Sequence, residues 1–445
     1  MVAHVAGRPS TPKWSPVAGQ AAAGAAGGGM LRNAFQALDE RGIAWAMLRG
    51  TGTLGERSGD VDVLVEAPAK AELDAALAAA GFARVPAPGH GSHRFYVSYD
   101  ASQDRWIELD IVTDVAFGIR QQFRTTLAPA LLARRQRLAT VAALHPDDGF
   151  WHLLLHVLLS RDDVPARWRD VLSSSASSAA GAGPLEAFVR MLRRRVASRL
   201  PAAVEAGDWL AVVDLGRELR TAWYLREGLG VVGRSTLHRL ERHVPPGAAR
   251  HGMSVAVLGP DGAGKTTLAE ALRSSTPLPA VYVYLGVWRE SRFEAQLRRI
   301  IGARLALRLV KLLVKGGLIA WHRRRGRLVL LDRYTLDAEL PSDDLDLKGR
   351  ISATLVRRTN ADPDMMILLD APAELMYARK GEHGVAELQV RREAYLAMAK
   401  RFRQMVLIDA EQSHDEVRRQ ATKLIWNRWS QSDGSGAGRS GSRAA

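Results

Sequence analysis

Cysteine is absent from the 445 residues, so neither a disulfide framework nor a thiolate metal site holds any part of this chain together. Lysine is scarce as well, at nine of the 62 basic residues, and Arg supplies the rest. No apolar stretch is long and uncharged enough to read as a membrane span. Met1 to Gly29 is rich in Ala and Gly and lacks the basic flank and apolar run of a secretory signal. A disordered leader over residues 1–30 and a cytoplasmic location are the expectations.

What is present is a large apolar fraction, 47%, in a chain long enough for two or three separate cores. The formal net charge of +15 calls for anionic partners. Nucleic acid, anionic lipid and nucleotide phosphates all answer to it, and charge alone does not choose among them.

Residues 31–145 read as a mixed α/β domain. Ala44–Leu48, Asp60–Val65 and Trp106–Val112 have strand character, and Ala69–Ala80 is an Ala/Leu helix. Residues 146–248 read as an Arg-rich helical connector, with helices over Gly149–Arg161 and Pro184–Leu200 and a Ser/Ala/Gly loop over Ser173–Gly183. His152 and His156 lie one helical turn apart in it, and with no third ligand in view helix packing accounts for them.

A second α/β domain spans 249–429, where the apolar runs Ser254–Leu258, Leu328–Leu331, Met365–Leu369 and Met405–Ile408 alternate with helical stretches. That alternation implies a parallel sheet covered by helices on both faces, a three-layer arrangement. Gly302–Trp321 carries Arg304, Arg308, Lys311 and Lys315 on one helical face, which reads as a sheet-packed helix turning its basic side to solvent or phosphate. A membrane-surface helix is the competing interpretation. Residues 430–445, rich in Ser, Gly and Arg, form a tail expected to be disordered.

The strongest motif is Gly259-Pro260-Asp261-Gly262-Ala263-Gly264-Lys265-Thr266, followed by Thr267, between the run Ser254–Leu258 and a helix over Thr266–Ser274. It matches G-x-x-x-x-G-K-[ST], in which glycines let successive N–H groups and a helix N-terminus point at phosphate oxygens. Lys265 is placed to reach the β- and γ-phosphates, Thr266 to ligate Mg²⁺ and Thr267 to meet the α-phosphate side. Asp332 and Arg333 end the apolar run Leu328–Leu331, where ligands of open α/β sheets bind. Asp332 can hold Mg²⁺ through water and Arg333 offers a fork for a phosphate, and a surface ion pair is the plainer alternative. Asp370-Ala371-Pro372 ends the next strand, and Arg379, Lys380, His383, Arg391, Arg392 and Tyr395 follow. These form either a cationic flap over phosphates or an ordinary basic helix face.

Gly259–Thr267, Asp332-Arg333-Tyr334, the strand end at Asp370-Ala371-Pro372 and the Arg379–Arg392 stretch together resemble the thymidylate kinase family, over roughly residues 250–427. The resemblance implies a P-loop nucleotide kinase with a five-stranded parallel sheet, ATP and Mg²⁺ as cofactors, and a lid that closes over both nucleotides. It further implies that Asp261 approaches the acceptor's sugar hydroxyl, Arg333 its phosphate, and that Arg379 and Lys380 belong to the lid. Thr335–Leu340 stands where that family holds the thymine base with another pattern, so acceptors other than a nucleotide stay open.

In the N-terminal domain Asp60 and Asp62 lie two apart on a strand, facing one side, and Asp110 ends a neighbouring strand. Three carboxylates so placed can hold Mg²⁺ ions for displacement at phosphorus, or can be polar residues of an edge strand. Residues 31–145 resemble the nucleotidyltransferase superfamily that includes DNA polymerase beta, with Arg49-Gly50-Thr51-Gly52 approximating its Gly-Ser pair. That resemblance implies a nucleotidyl-transfer site or a binding domain derived from one.

The expected architecture is therefore α/β: a nucleotidyltransferase-like domain, a helical connector and a three-layer P-loop kinase domain. The expected activity is Mg-ATP-dependent phosphoryl transfer to a nucleoside monophosphate, dTMP first, or a related small acceptor, by Lys265, Asp332, Arg333 and Arg379. A nucleotide-binding regulatory protein that binds RNA, and a bifunctional kinase and nucleotidyltransferase in polysaccharide or secondary-metabolite biosynthesis, are the alternatives. Nucleic acid is compatible with the charge but not required, and so is a homodimer.

Overall fold

The computed structural model describes residues 24–49, 60–67, 70–85, 92–138, 141–176, 183–241, 252–285, 303–340 and 354–431. The chain divides into two compact units, Met1–Pro245 and Pro246–Ala445. Both are α/β, the first around a mixed sheet and the second around a parallel one. Among the described residues no helix is long and apolar enough to cross a membrane.

In the first unit β1 (Trp45–Met47), β2 (Val61–Val65), β3 (Ala83–Val85), β4 (Arg94–Asp100), β5 (Arg105–Val112), β8 (Gln136–Leu138) and β9 (Val141–Ala143) form one sheet. Its order is β3-β4-β5-β2-β1-β9-β8, and β6 (Ala116–Phe117) and β7 (Phe123–Arg124) make a separate hairpin. Strand periodicity sorts side chains between two cores. Val61, Val63 and Val65 of β2 and Ile107, Leu109 and Ile111 of β5 pack with the helices Gly24–Glu40 and Lys70–Ala79. The intervening Leu64 and Val112 join the opposite core, and Asp62 and Asp110 share their face.

That opposite core is shared with the helices Pro146–Ser160, Ala166–Ala176, Pro184–Leu192, Arg194–Glu205 and Trp209–Glu241. Trp223 is fully buried in it, 5.2 Å from the Phe123 ring of β7 and 4.9 Å from that of Phe188. The 146–248 stretch, expected as a connector, thus packs through residue 231 into the same core as the N-terminal sheet.

Some local expectations need correction. The leader expected to be disordered over 1–30 is helical from Gly24, continuous with a helix that buries Leu31, Ala34, Phe35 and Leu38; residues 1–23 lie outside the described part. The loop expected over Ser173–Gly183 begins later, since helix continues to Ala176 and buries Leu172; residues 177–182 lie outside the described part. The helix expected over Pro184–Leu200 breaks at Arg193, whose extended backbone (φ −157°) aims its guanidinium at Glu218, 2.8 Å away.

In the second unit β10 (Ser254–Leu258), β11 (Ala280–Tyr284), β12 (Leu328–Asp332), β13 (Met365–Asp370) and β14 (Met405–Asp409) form an all-parallel sheet in the order β11-β12-β10-β13-β14. β10 and β12 are buried throughout, which is why they read as unbroken apolar runs. The chain goes from β10 outward to one side and then to the other, so a crevice opens beyond the carboxyl end of β10. The helix His414–Gln431 ends the described chain with Trp429 buried; residues 432–445, expected as a disordered tail, lie outside it.

Because Trp223 joins strand and helix side chains in one core, Trp223→Ala is expected to cost about 3–5 kcal/mol. Hydrogen exchange should quicken together in β7 and in Pro146–Ser160. Faster exchange confined to the helices would show that they fold separately from the sheet.

Candidate functional site

β10 ends at Leu258, and the chain turns through a glycine loop into the helix Lys265–Ser275. Gly262 has φ +88°, and a Cβ there would run into the carbonyl oxygen of Met376, so no larger residue fits. Gly264, at φ +96° on the helix N-cap, faces open space, which leaves the first N–H groups of the helix accessible to an anion. Ala263 is buried beneath the loop, and Thr266 and Thr267 are exposed at its exit. Lys265 is 7% exposed and donates to the carbonyls of Gly259 at 2.8 Å and Pro260 at 2.7 Å. Burial lowers its pKa, and the carboxylate of Asp261 at 3.5 Å opposes that shift.

Beside the loop, β12 delivers Asp332, which is 1% exposed. One of its oxygens, Oδ2, accepts from the Thr266 hydroxyl at 2.7 Å and the Tyr282 hydroxyl of β11 at 2.6 Å. The other, Oδ1, is buried and has no hydrogen-bond partner among the described residues. An unpaired buried carboxylate oxygen next to a threonine hydroxyl is a donor set that fits a hydrated Mg²⁺ ion, a hard cation.

Arg333 follows with φ +68°, a left-handed backbone that a branched or long side chain adopts rarely. That turn sends its guanidinium across the crevice to Asp261 Oδ1, at 2.6 Å. Lys380 at 3.8 Å, His383 at 3.4 Å and Arg391 at 3.6 Å also converge on Asp261. Burial pushes the Asp261 pKa up, but Lys265, Arg333, Lys380 and His383 together outweigh it and hold the carboxyl below its ordinary range. Deeper in, Asp337 accepts from the Tyr395 hydroxyl at 2.8 Å, and burial raises the pKa of both groups.

The lid residues divide. Lys380 closes the helix Ala373–Lys380, Gly381 turns the chain at φ +66°, and His383 and Arg391 then face the loop. Arg392 forks onto Asp370 at 2.6 and 2.8 Å. Arg379 donates to the carbonyl of Ala410 at 3.0 Å, so the structure does not bring it to the Asp261 group.

The structure adds Tyr282 and Asp337 to the residues that the sequence singled out around the loop, and it joins Tyr395 to Asp337. The alternating β-branched and aromatic run Ala-Val-Tyr-Val-Tyr was the available signal for β11 and so for Tyr282. Asp337 is buried in a short 3-10 turn, and nothing in its local sequence announces that.

In the first unit the parallel register of β2 and β5 sets Asp62 beside Asp110, and ligand oxygens of Asp60, Asp62 and Asp110 lie within 4.8 Å of one another. Arg49 donates to Asp62 Oδ2 at 2.6 Å and sits 3.3 Å from His156 Nε2. His93 Nδ1 lies 2.7 Å from both oxygens of Asp110. Burial raises the Asp62 pKa to about 6, with Asp60 and Asp110 adding to the rise and Arg49 opposing it. His156 is pushed down to about 3 by burial and by Arg49, so it is neutral here. His152 is buried, its ring 5.6 Å from that of Phe117, and burial lowers its pKa too. Gly50, Thr51 and Gly52 lie outside the described residues.

No family model and no curated protein matches the chain. Among solved structures, thymidylate kinase from Candida albicans aligns at 16% identity over 40% of this chain and 93% of that one, with a TM-score of 0.34. At that score the α/β assignment of the second unit rests on its own sheet order and loop.

A carboxyl-carbon NMR titration should find Asp62 with a midpoint near pH 6, and Arg49→Gln should move it higher. The sign for stability follows: with its folded pKa above the unfolded 3.8, Asp62 contributes most below 3.8, and the contribution is lost as pH rises through about 6. A midpoint near 4 would mean that the carboxyl is better solvated than its packing implies.

Proposed function

We propose that the second unit is a Mg-ATP-dependent phosphotransferase of the nucleotide kinase type. It would move the γ-phosphoryl group of ATP to a nucleoside monophosphate, with dTMP the first candidate, or to a related small acceptor. The observation that carries this is the convergence on one glycine loop of Lys265, Thr266, the half-paired Asp332 and the cations around Asp261.

The N–H groups at the start of the helix, which no side chain caps, would bind the phosphate chain. Lys265, held over loop carbonyls, exchanges them for phosphate oxygens and keeps its charge at the β,γ-bridge. Thr266 and Asp332 would hold Mg²⁺, which when bound neutralises charge on the β- and γ-oxygens. Arg333 and Asp261 present a donor and an acceptor to the group that receives the phosphoryl. An acceptor oxygen then forms a bond to the γ-phosphorus as the bond to the β,γ-bridging oxygen breaks, and ADP leaves with that electron pair. Lys380, His383 and Arg391, all directed at Asp261, would offset the charge that spreads over the equatorial oxygens, and no covalent enzyme intermediate is needed.

A second activity, nucleotidyl transfer by the first unit, is favoured by the convergence of Asp60, Asp62 and Asp110 on neighbouring strands. Arg49 and His93 already pair with two of those carboxylates, which equally suits a domain that binds a nucleotide without turning it over. Release of pyrophosphate from a nucleoside triphosphate, lost in Asp62→Asn, separates the two.

ADP release from ATP and Mg²⁺ across a panel of dTMP, other monophosphates, nucleosides and sugars should depend on the acceptor and fall by about a thousandfold or more in Lys265→Ala. Bound ATP with a flat panel would sink the monophosphate acceptors and favour a nucleotide-gated regulator. Tyr282→Phe tests the metal side separately. Losing one hydrogen bond to a charged group, about 1.5–3 kcal/mol, should weaken Mg²⁺-dependent binding of a fluorescent ATP analogue about tenfold or more. Binding measured in EDTA should be unchanged, and an equal loss in EDTA would place Tyr282 in nucleotide packing instead.

A further inference from the structure

Nothing in the grip on ATP and Mg²⁺ calls for Asp337, yet the short turn Thr335–Glu339 that follows β12 buries this carboxylate beside Arg333. Burying a carboxylate is costly unless both of its oxygens are paired. Its Oδ1 accepts from the hydroxyl of Tyr395, on the helix Val385–Ala399, at 2.8 Å. Its Oδ2 has no hydrogen bond from a described residue and lies 4.0 Å from Arg333 Nη1, beyond hydrogen-bond reach. The same guanidinium donates through Nη2 to Asp261 Oδ1 at 2.6 Å, so one arginine lies between two carboxylates.

That arrangement bears on the acceptor. A phosphate monoester has a second pKa of about 6, so near neutral pH it attacks as an anion with no proton to lose. It would also bring its negative charge to an arginine already flanked by two carboxylates, which repel it. A hydroxyl acceptor has the opposite needs. It is uncharged, it hydrogen-bonds to carboxylates, and it must give a proton to a base as it attacks phosphorus. The two carboxylates suit different parts of that task. Against the upward push of burial, Lys265, Arg333, Lys380 and His383 hold Asp261 below its ordinary range, which suits it to orient a hydroxyl and makes it a weak base. Burial raises the pKa of Asp337, with Asp261 adding to the rise and Tyr395, Lys265 and Arg333 opposing it, so this carboxylate takes up a proton more readily.

Resting on the reading of the second unit as a phosphotransferase, we propose that its acceptor is an uncharged hydroxyl compound, a nucleoside or a sugar, and that Asp337 receives the proton of the attacking hydroxyl. The acceptor oxygen bonds to the γ-phosphorus as its O–H bond breaks toward Asp337 Oδ2. The bond from the γ-phosphorus to the bridging oxygen breaks, ADP leaves with that electron pair, and Asp337 then releases its proton to water.

ADP release with matched acceptors tests this: thymidine against dTMP, uridine against UMP, and glucose as the sugar without a base. The uncharged acceptor should be faster than its monophosphate by at least about tenfold, and turnover of the nucleosides or of glucose tells which of the two classes is used. Asp337→Asn keeps an oxygen for Tyr395 and should lower kcat with the uncharged acceptor by about a hundredfold or more, with affinity for ATP unchanged. Tyr395→Phe removes a hydrogen bond that lowers the Asp337 pKa, so the acid limb of the kcat profile should move to higher pH, which a merely structural role would not do. Faster turnover of dTMP or UMP than of its nucleoside would overturn the hydroxyl acceptor and leave the kinase reading standing. Full activity in Asp337→Asn, or an acid limb that Tyr395→Phe does not move, would overturn Asp337 as the base. ADP release with no acceptor at all, while ATP still binds, would take down the kinase reading and this inference with it.

Discussion

Asp261 is the counter-charge that lets the candidate phosphotransfer site exist before any ligand arrives. A loop shaped for phosphates gathers cations, and Lys265, Arg333, Lys380 and Arg391, with the ring of His383 beside them, all end within 3.8 Å of this one carboxylate. Two like charges about 4 Å apart repel by about 4 kcal/mol at the effective dielectric near a protein surface, so the group would splay without an anion at its centre. The most buried pairs, with Lys265 and Arg333, matter most, because Lys380 is exposed enough for water to screen it. The left-handed backbone of Arg333 has a cause in this arrangement: the chain leaves β12 in that conformation and the guanidinium reaches Asp261.

How much of this was legible in the sequence depends on how local each feature is. The strand β10, the glycine loop and its helix could be read almost to the residue, because a strand buried on both faces shows as an unbroken apolar run and the loop needs glycine at fixed offsets. The same holds for β12 and β13, while β14 was read from its apolar run although only Met405 and Ile408 of it are buried. The strand β11 is only half-buried along most of its length and so lacks that signature, and Tyr282 was missed with it. Pairings such as Arg333 with Asp261, 72 residues apart, follow from sheet order, which hydrophobic pattern alone does not specify. On the helix Ala303–Arg324 the exposure of Val310, Leu313 and Val314 was not foreseen, because charge spacing marks one stripe and leaves the rest of the helix undescribed.

The first unit shows the same limit from another side. That Asp60 and Asp62 share a face follows from strand periodicity, but that Asp110 joins them follows from the register of β2 against β5. The helices from 146 onward cover this face, which is how His156 comes to meet Arg49 and how Asp62 comes to be desolvated. A carboxyl raised to about 6 between two other carboxylates is a group that gains from a cation, and Arg49 already supplies one. Whether the cluster works on a metal-bound nucleotide therefore turns on the exchange of Arg49 for a metal ion.

The scarcity of lysine sharpens the assignment of the glycine loop. In a chain with nine lysines among 62 basic residues, two of them, Lys265 and Lys380, meet at Asp261. A guanidinium is a wide planar fork, suited to the bidentate grip that Arg392 makes on Asp370. The cation under the loop, Lys265, is buried and satisfied by two carbonyls of the loop itself. A compact ammonium on a slender stem suits that point, and in the proposed phosphotransfer it would trade carbonyl oxygens for phosphate oxygens without moving its charge. A curled backbone and a cation inside the curl are the two features of this loop, and lysine supplies the second against the composition of the whole chain.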